Sequence, residues 1–194
     1  MRKALVVLLL LLTVAALAEA PRKPISGFAV GVFGGYWIYS GPSYFFHDGY
    51  GGSLRVGYRF KGGELELYGF FEYTSLQMTD LWSRLDPNPT GNLMTFGISP
   101  RITFSPTTWI SPFFGAGPAY TLRTTSLDVE RGSGEPFSYL QNAQDFAVFV
   151  EVGAEFLLQP SLIVEIGCHY IHPFTPEEER FSGITLGAGV AYFF

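Results

Sequence analysis

From about residue 26 onward the chain alternates between apolar and small or polar side chains, the period of a β-strand with two different faces. Eight segments carry the pattern: Ser26–Tyr39, Tyr50–Lys61, Glu64–Ser75, Asn92–Phe104, Thr108–Arg123, Asp145–Leu158, Leu162–His172 and Phe181–Phe194. The last shows it most plainly. Ile184, Leu186, Ala188, Val190, Tyr192 and Phe194 occupy one phase, and Thr185, Gly187, Gly189, Ala191 and Phe193 the other. No charged residue falls on the apolar phase of any segment. Each is long enough to cross a hydrocarbon core as a tilted strand, which takes about 9 to 11 residues.

The connections alternate as well. Gly62-Gly63, Ser105-Pro106-Thr107 and Gln159-Pro160 read as tight turns, while 41–49, 76–91, 124–144 and 173–180 read as long polar loops. A meander with every second connection short predicts an all-β fold, an eight-stranded antiparallel up-and-down transmembrane barrel with both termini in the periplasm. Pro100, Pro112 and Pro118 interrupt segments four and five, where each removes a ladder donor. With the turn centred on Pro106, Pro100 faces Pro112, and a shared bulge or kink is expected there. Phe33 and Trp37 fall on the inward phase of the first strand.

That inward phase carries the charges: Arg55, Arg59, Glu66, Glu72, Arg101, Arg123, Glu151, Glu155, Glu165 and His169, interleaved with glycines. An eight-stranded barrel has room inside only for side chains, so these groups must pair with one another. Counted up from the short turns, Arg59, Glu66, Arg101, Glu155 and Glu165 form one expected layer, and Arg55, Glu72, Glu151 and His169 a second. Lys61 and Glu64 are expected as a further pair on the interior phase of the first hairpin. Two functions fit such a network, a plug or a gate that opens when pairs exchange.

Composition agrees with an all-β chain, with 23 Gly, 19 Phe and 11 Tyr and charged residues at only 15%. The first residues add export. Arg2 and Lys3 precede an apolar run from Ala4 to Leu12, followed by Ala16, Ala18 and Ala20, the layout of a signal peptide covering 1–18, with cleavage after Ala20 as the alternative. A single barrel domain then covers 19–194. Loss of Arg2 and Lys3 leaves ten basic against 17 acidic residues, a formal charge of −7 with no basic stripe for nucleic acid. Cys168, the one cysteine, lies on the apolar phase and cannot form an internal disulfide.

The final strand, with Leu186, Ala188, Val190, Tyr192 and Phe194 at alternate positions, resembles that of the small eight-stranded outer-membrane β-barrels, the class that includes the OmpA transmembrane domain, OmpX and OmpW. The resemblance covers the whole mature chain. It implies the bacterial outer membrane, contact with its lipid and lipopolysaccharide, and an assembly signal at Tyr192 and Phe194 read by the barrel-assembly machinery. The interior charges are similar in kind to the salt-bridge network of the OmpA barrel. No peptidoglycan-binding domain is expected after strand eight.

Candidate chemistry is sparse. His169 and His172, three apart on one strand, face opposite ways and cannot share a metal. His47-Asp48 reads as a turn before it reads as a base and its orienter. Lipid A deacylases of this class place a serine two residues after a histidine; here Ile171 follows His169 and Phe174 follows His172. Neither an enzyme nor a cofactor is expected. Tyr36, Tyr58, Phe60, Phe104, Tyr120, Tyr170 and Tyr192 are expected to form two interfacial girdles. The rival fold, a secreted barrel of lipocalin type, would have to pack the bulky phase inward, where it would overfill the interior. Function then rests between a structural and surface-interaction protein, with loop 124–144 as the candidate contact, and a small passive channel.

Overall fold

The computed structural model describes residues 25–39, 46–78, 90–130, 136–174 and 182–194. The strands are β1 (Gly27–Tyr39), β2 (Phe46–Arg59), β3 (Leu65–Met78), β4 (Thr90–Thr103), β5 (Ile110–Glu130), β6 (Pro136–Gln159), β7 (Leu162–Pro173) and β8 (Gly183–Phe193). They form a closed barrel in which every neighbouring pair is antiparallel. Closure joins β1 to β8 from Ala29↔Phe193 to Tyr39↔Gly183, and the Phe194 amide donates to the Phe28 carbonyl at 2.8 Å. Closure thereby consumes the edges of β1 and β8, which would otherwise recruit other chains.

Alternation sorts the side chains as a wall between two solvents requires. Phe28, Val56, Leu67, Ile98, Val152 and Ile166 stand outside, while Arg59, Glu66, Arg101, Glu151 and Glu165 are buried inside. Phe33 and Trp37 do face inward, and a methyl on Gly183 would lie 2.2 Å from the Trp37 ring, so the glycine makes room for the indole. Cys168 is on the outer surface, half-exposed, paired with Val152 and Leu186.

Outward aromatics gather in two belts. Near the termini Phe28 meets Tyr58, Tyr58 meets Phe60, and Tyr192 meets Phe194, at centroid distances of 5.2, 5.3 and 5.0 Å. At the other end Tyr36, Tyr73 and Tyr120 donate their hydroxyls to Asp48, Asn92 and Gln144. An apolar ring with a polar tip suits the border between hydrocarbon and water.

Several local expectations are corrected. The first hairpin turns through four residues, closed by the Phe60 amide donating to the Leu65 carbonyl, with Gly62 and Gly63 both at positive φ. Lys61 and Glu64 therefore sit exposed in the turn and are not an interior pair. The β4–β5 connection is longer than three residues: Thr103 pairs with Phe113, and Ser105, at φ 54°, accepts from the Thr108 amide and the Ser111 hydroxyl.

That longer turn moves the register, so Pro100 does not face Pro112. Pairing stops between Gly97↔Ala119 and Arg101↔Gly115 and resumes without a shift, so the prolines interrupt the ladder and produce no bulge. All three prolines are exposed on the outer surface.

The expected loop 124–144 is the largest miss. β5 and β6 stay paired without a register change up to Glu130↔Pro136.

Candidate functional site in the barrel lumen

Three arginines organise the interior. Arg59, on β2, reaches Glu66 on the next strand through Nε (3.1 Å) and Nη2 (2.6 Å), and Glu155 across the lumen through Nη1 (2.9 Å) and Nη2 (2.5 Å). Arg101, on β4, holds Glu151 with Nε at 2.9 Å and with Nη2, while its Nη1 donates to Glu165 at 2.8 Å and to Glu155 at 3.3 Å. Arg55 donates to Glu165 at 2.9 Å and lies 4.0 Å from Glu66. The two-toothed contacts use the planar fork that guanidinium offers a carboxylate.

These contacts merge the two expected layers into one web. Arg101 of the first layer binds Glu151 of the second, and Arg55 of the second binds Glu165 of the first. Barrel shear is the reason: neighbouring strands are staggered, so equal counts from the turns are not equal heights.

Glu72 and His169 stand slightly apart. His169 Nδ1 is 3.5 Å from Glu72 Oε2 and its Nε2 is 3.9 Å from Glu151 Oε2; the Thr185 hydroxyl donates to Glu72 Oε1 at 2.9 Å. His172, as expected, faces the other way and meets the Tyr170 hydroxyl at 3.0 Å. Asp48 accepts from Tyr36 and from the Tyr39 amide, so its carboxylate serves the strand end. The side chain of His47 lies outside the described residues.

Sequence reasoning finds the ions and misses the aromatics that hold them. The Arg101 guanidinium lies over Phe113 at 4.0 Å and beside Tyr68 at 5.1 Å, Arg55 lies over Tyr68 at 5.0 Å, and Arg59 over Phe193 at 4.7 Å. His169 stacks on Phe33 at 4.2 Å. Each such contact is worth about 0.5–2 kcal/mol and fixes a long side chain. All of them occupy the inward phase, which was the available signal. Gly115 shows what the inward glycines do: a methyl there would lie 2.3 Å from Glu151 Oε1, so the Arg101–Glu151 pair occupies the space a side chain would take.

Apolar groups close the web at both ends. Toward the long connections lie Trp37, Phe70, Leu76, Leu93, Phe149 and Ile171; toward the termini lie Ala29, Leu157, Ile163, Ala191 and Phe193, with Ile25 and Trp109 against them. Voids of about 10 Å³ remain beside Arg55 and His169 and beside Arg59 and Glu155, each with room for about one water.

A closed antiparallel barrel of eight strands, apolar outside and ionic inside, defines a membrane β-barrel protein of the outer-membrane class. The chain belongs to the outer membrane protein beta-barrel domain family, whose model matches residues 4–194. No curated protein matches the sequence.

Among solved structures, Neisserial surface protein A is similar, at 18% identity and TM-score 0.64, over 87% of this chain and 98% of that one. OprG from Pseudomonas aeruginosa matches at 10% identity and TM-score 0.56, over 89% and 100%. Ail, the attachment invasion locus protein of Yersinia pestis, in complex with the heparin analogue sucrose octasulfate, matches at 11% and 0.52, over 87% and 99%. At such identities the likeness is one of fold.

Proposed function

We propose that the protein is a structural and surface-interaction protein of the bacterial outer membrane. Its lumen is closed, both termini face the periplasm, and its working part is the set of long connections at the opposite end. The observation that carries this reading is the sandwich inside the barrel, an arginine–glutamate web between two apolar clusters with water-sized voids. An ion crossing it would have to break several charge-assisted bonds and pass an apolar constriction on each side. No catalytic step or cofactor enters this reading. Tyr192 and Phe194 serve assembly, read by the barrel-assembly machinery.

The β5–β6 hairpin is the candidate contact surface. It extends past the last β7 partner, at Ala147↔Pro173, so the outer edge of β6 from Pro136 to Asp145 has no partner among the described residues. Its sequence is acidic, with Asp128, Glu130 and Glu135 against Arg131. A polyanion of the kind bound to Ail is thus a poor match, and a neutral or basic partner, or the carbohydrate of lipopolysaccharide, a better one.

Conductance in a planar bilayer tests the closed lumen. Wild-type barrel, shown to be folded, is expected to be silent, and an Arg59→Ala, Arg101→Ala double variant to conduct. Discrete wild-type openings would instead support the passive channel.

A further inference from the structure

We propose that a recess on the outer wall, floored by Gly69 on β3 and crossing the β4–β5 seam to Pro118, binds a hydroxylated acyl chain of lipopolysaccharide, with the hydroxyl of the chain turned to that seam.

Register builds the recess. Phe71, Phe96, Tyr120 and Phe146 pair in one row across four strands and form an outward ledge, with ring centroids 5.0 Å apart for Phe71 and Phe96 and 5.4 Å apart for Tyr120 and Phe146. In the next row toward the termini stands Gly69, paired with Val56 and Ile98, and it brings no side chain to the outer face. A carbon added there would meet only the Gly97 carbonyl oxygen, at 3.8 Å. The space measures about 640 Å³, within the range of about 300–1,000 Å³ that small-molecule sites occupy.

The seam beside it lacks donors. The Phe104 amide donates across it to the Pro112 carbonyl, so the even-numbered residues of β4 and β5 turn their backbone polar groups toward each other there. Carried along the register of Ile102↔Phe114, that phase sets Pro100 opposite Ala116 and Pro118 opposite Ile98, where the pairing is interrupted. Proline has no amide hydrogen, so neither the Ala116 nor the Ile98 carbonyl has a ladder donor opposite it, and hydrocarbon offers no water in its place. Ile98 and Pro118 also line the recess, so the cavity and the donor-poor backbone coincide.

Position and chemistry together name the occupant. The Tyr120 hydroxyl donates to Gln144 in the belt at the end opposite the termini, so the recess hangs just below that belt on the lipid-facing wall. A chain descending from an outer-leaflet headgroup would enter it, a step that rests on the proposed outward orientation of this end. A plain hydrocarbon chain would fill the recess and leave the seam as it is. A chain with a hydroxyl brings the missing donor, and in hydrocarbon that bond counts for more than in water. Hydroxylated acyl chains belong to lipopolysaccharide, whereas membrane phospholipids carry plain ones.

The test is native mass spectrometry of the refolded barrel in micelles, titrated with lipid A or with phosphatidylglycerol, which is also anionic but has plain chains. A single lipid A is expected to stay bound to each barrel, with phosphatidylglycerol held about three- to tenfold more weakly. Gly69→Leu fills the recess where there is room for a side chain, and should lower lipid A retention about tenfold or more while the urea midpoint holds. Pro118→Val restores an amide hydrogen opposite Ile98 and should erase the preference for lipid A. Equal retention of the two lipids by the wild type, or lipid A retention indifferent to Gly69→Leu, would overturn the proposal. The wild-type comparison decides the matter even if a variant refolds poorly. In micelles it is independent of which end faces outside, so the orientation or the closed lumen can fail without it.

Discussion

The β5–β6 hairpin passes through two environments, and the contrast between its lower and upper parts shows what holds each together. In the lower part Gly115 faces Glu151 inside while Phe114 and Val152, paired with each other, face outward, and β4 and β7 flank the hairpin. In the upper part the ladder continues to Glu130↔Pro136, but β4 ends its pairing at Ser126 and β7 at Ala147. The lower part is fixed by two faces with opposite demands and a neighbour on each side. The upper part is described by its backbone pairing, and a two-stranded ribbon alone is marginal in water.

The sharpest way to break the lower part is from within. Arg101→Ala takes from Glu151 its two-toothed partner and removes one partner each from Glu155 and Glu165, all deeply buried. Stranding buried carboxylates costs about 3–5 kcal/mol, so a large drop in the urea midpoint of the refolded barrel is expected. An unchanged midpoint would mean that the web contributes little to the fold.

The next largest effect comes from the other side of the wall, one residue from Glu151. Val152 is 49% exposed on the outer surface, and Val152→Arg should cost about 2–4 kcal/mol if that surface faces the hydrocarbon midplane. Equal stability of the two proteins in lipid would place Val152 nearer the interface. Smaller again is Gly183→Ala, whose methyl would meet the fully buried Trp37 ring; about 1–3 kcal/mol of overpacking is expected in the same urea titration.

Legibility of the sequence follows the same boundary. Between lipid and lumen every second residue is under a different constraint, so the strands and the nine ionisable residues buried in the lumen among the described residues could be read from alternation. Their partners could not, because shear and side-chain reach set heights: Arg101 passes over the count-matched Glu66, paired opposite it on β3, to hold Glu151 across the lumen.

Toward the far end of the β5–β6 ladder the alternation in the sequence fades, so Thr124–Glu130 and Pro136–Gln144 read as loop although they pair throughout. Composition still carried a trace. Thr, Val, Phe and Tyr at 124, 125, 129, 137 and 139 favour strand, around the turn-forming Gly132-Ser133-Gly134. The prolines misled for a related reason. Their cost was assigned to a bulge, whereas the barrel leaves a gap in one ladder and turns their rings outward.

The smallest effect sharpens the contrast most. Excising 127–139 and joining Ser126 to Leu140 through Asn-Gly removes the ladder beyond the last β4 partner, keeps the β4 pairing up to Ser126, and supplies a turn whose backbone suits a two-residue hairpin. Among the described residues, those of the arginine web and of the apolar clusters that close it lie outside 127–139. The urea midpoint should therefore move by no more than the equivalent of about 0.5 kcal/mol, while any surface partner is lost. A fall as large as that of Gly183→Ala would mean that the ribbon braces the barrel, and the stability attributed to the lower part would have to be shared with it.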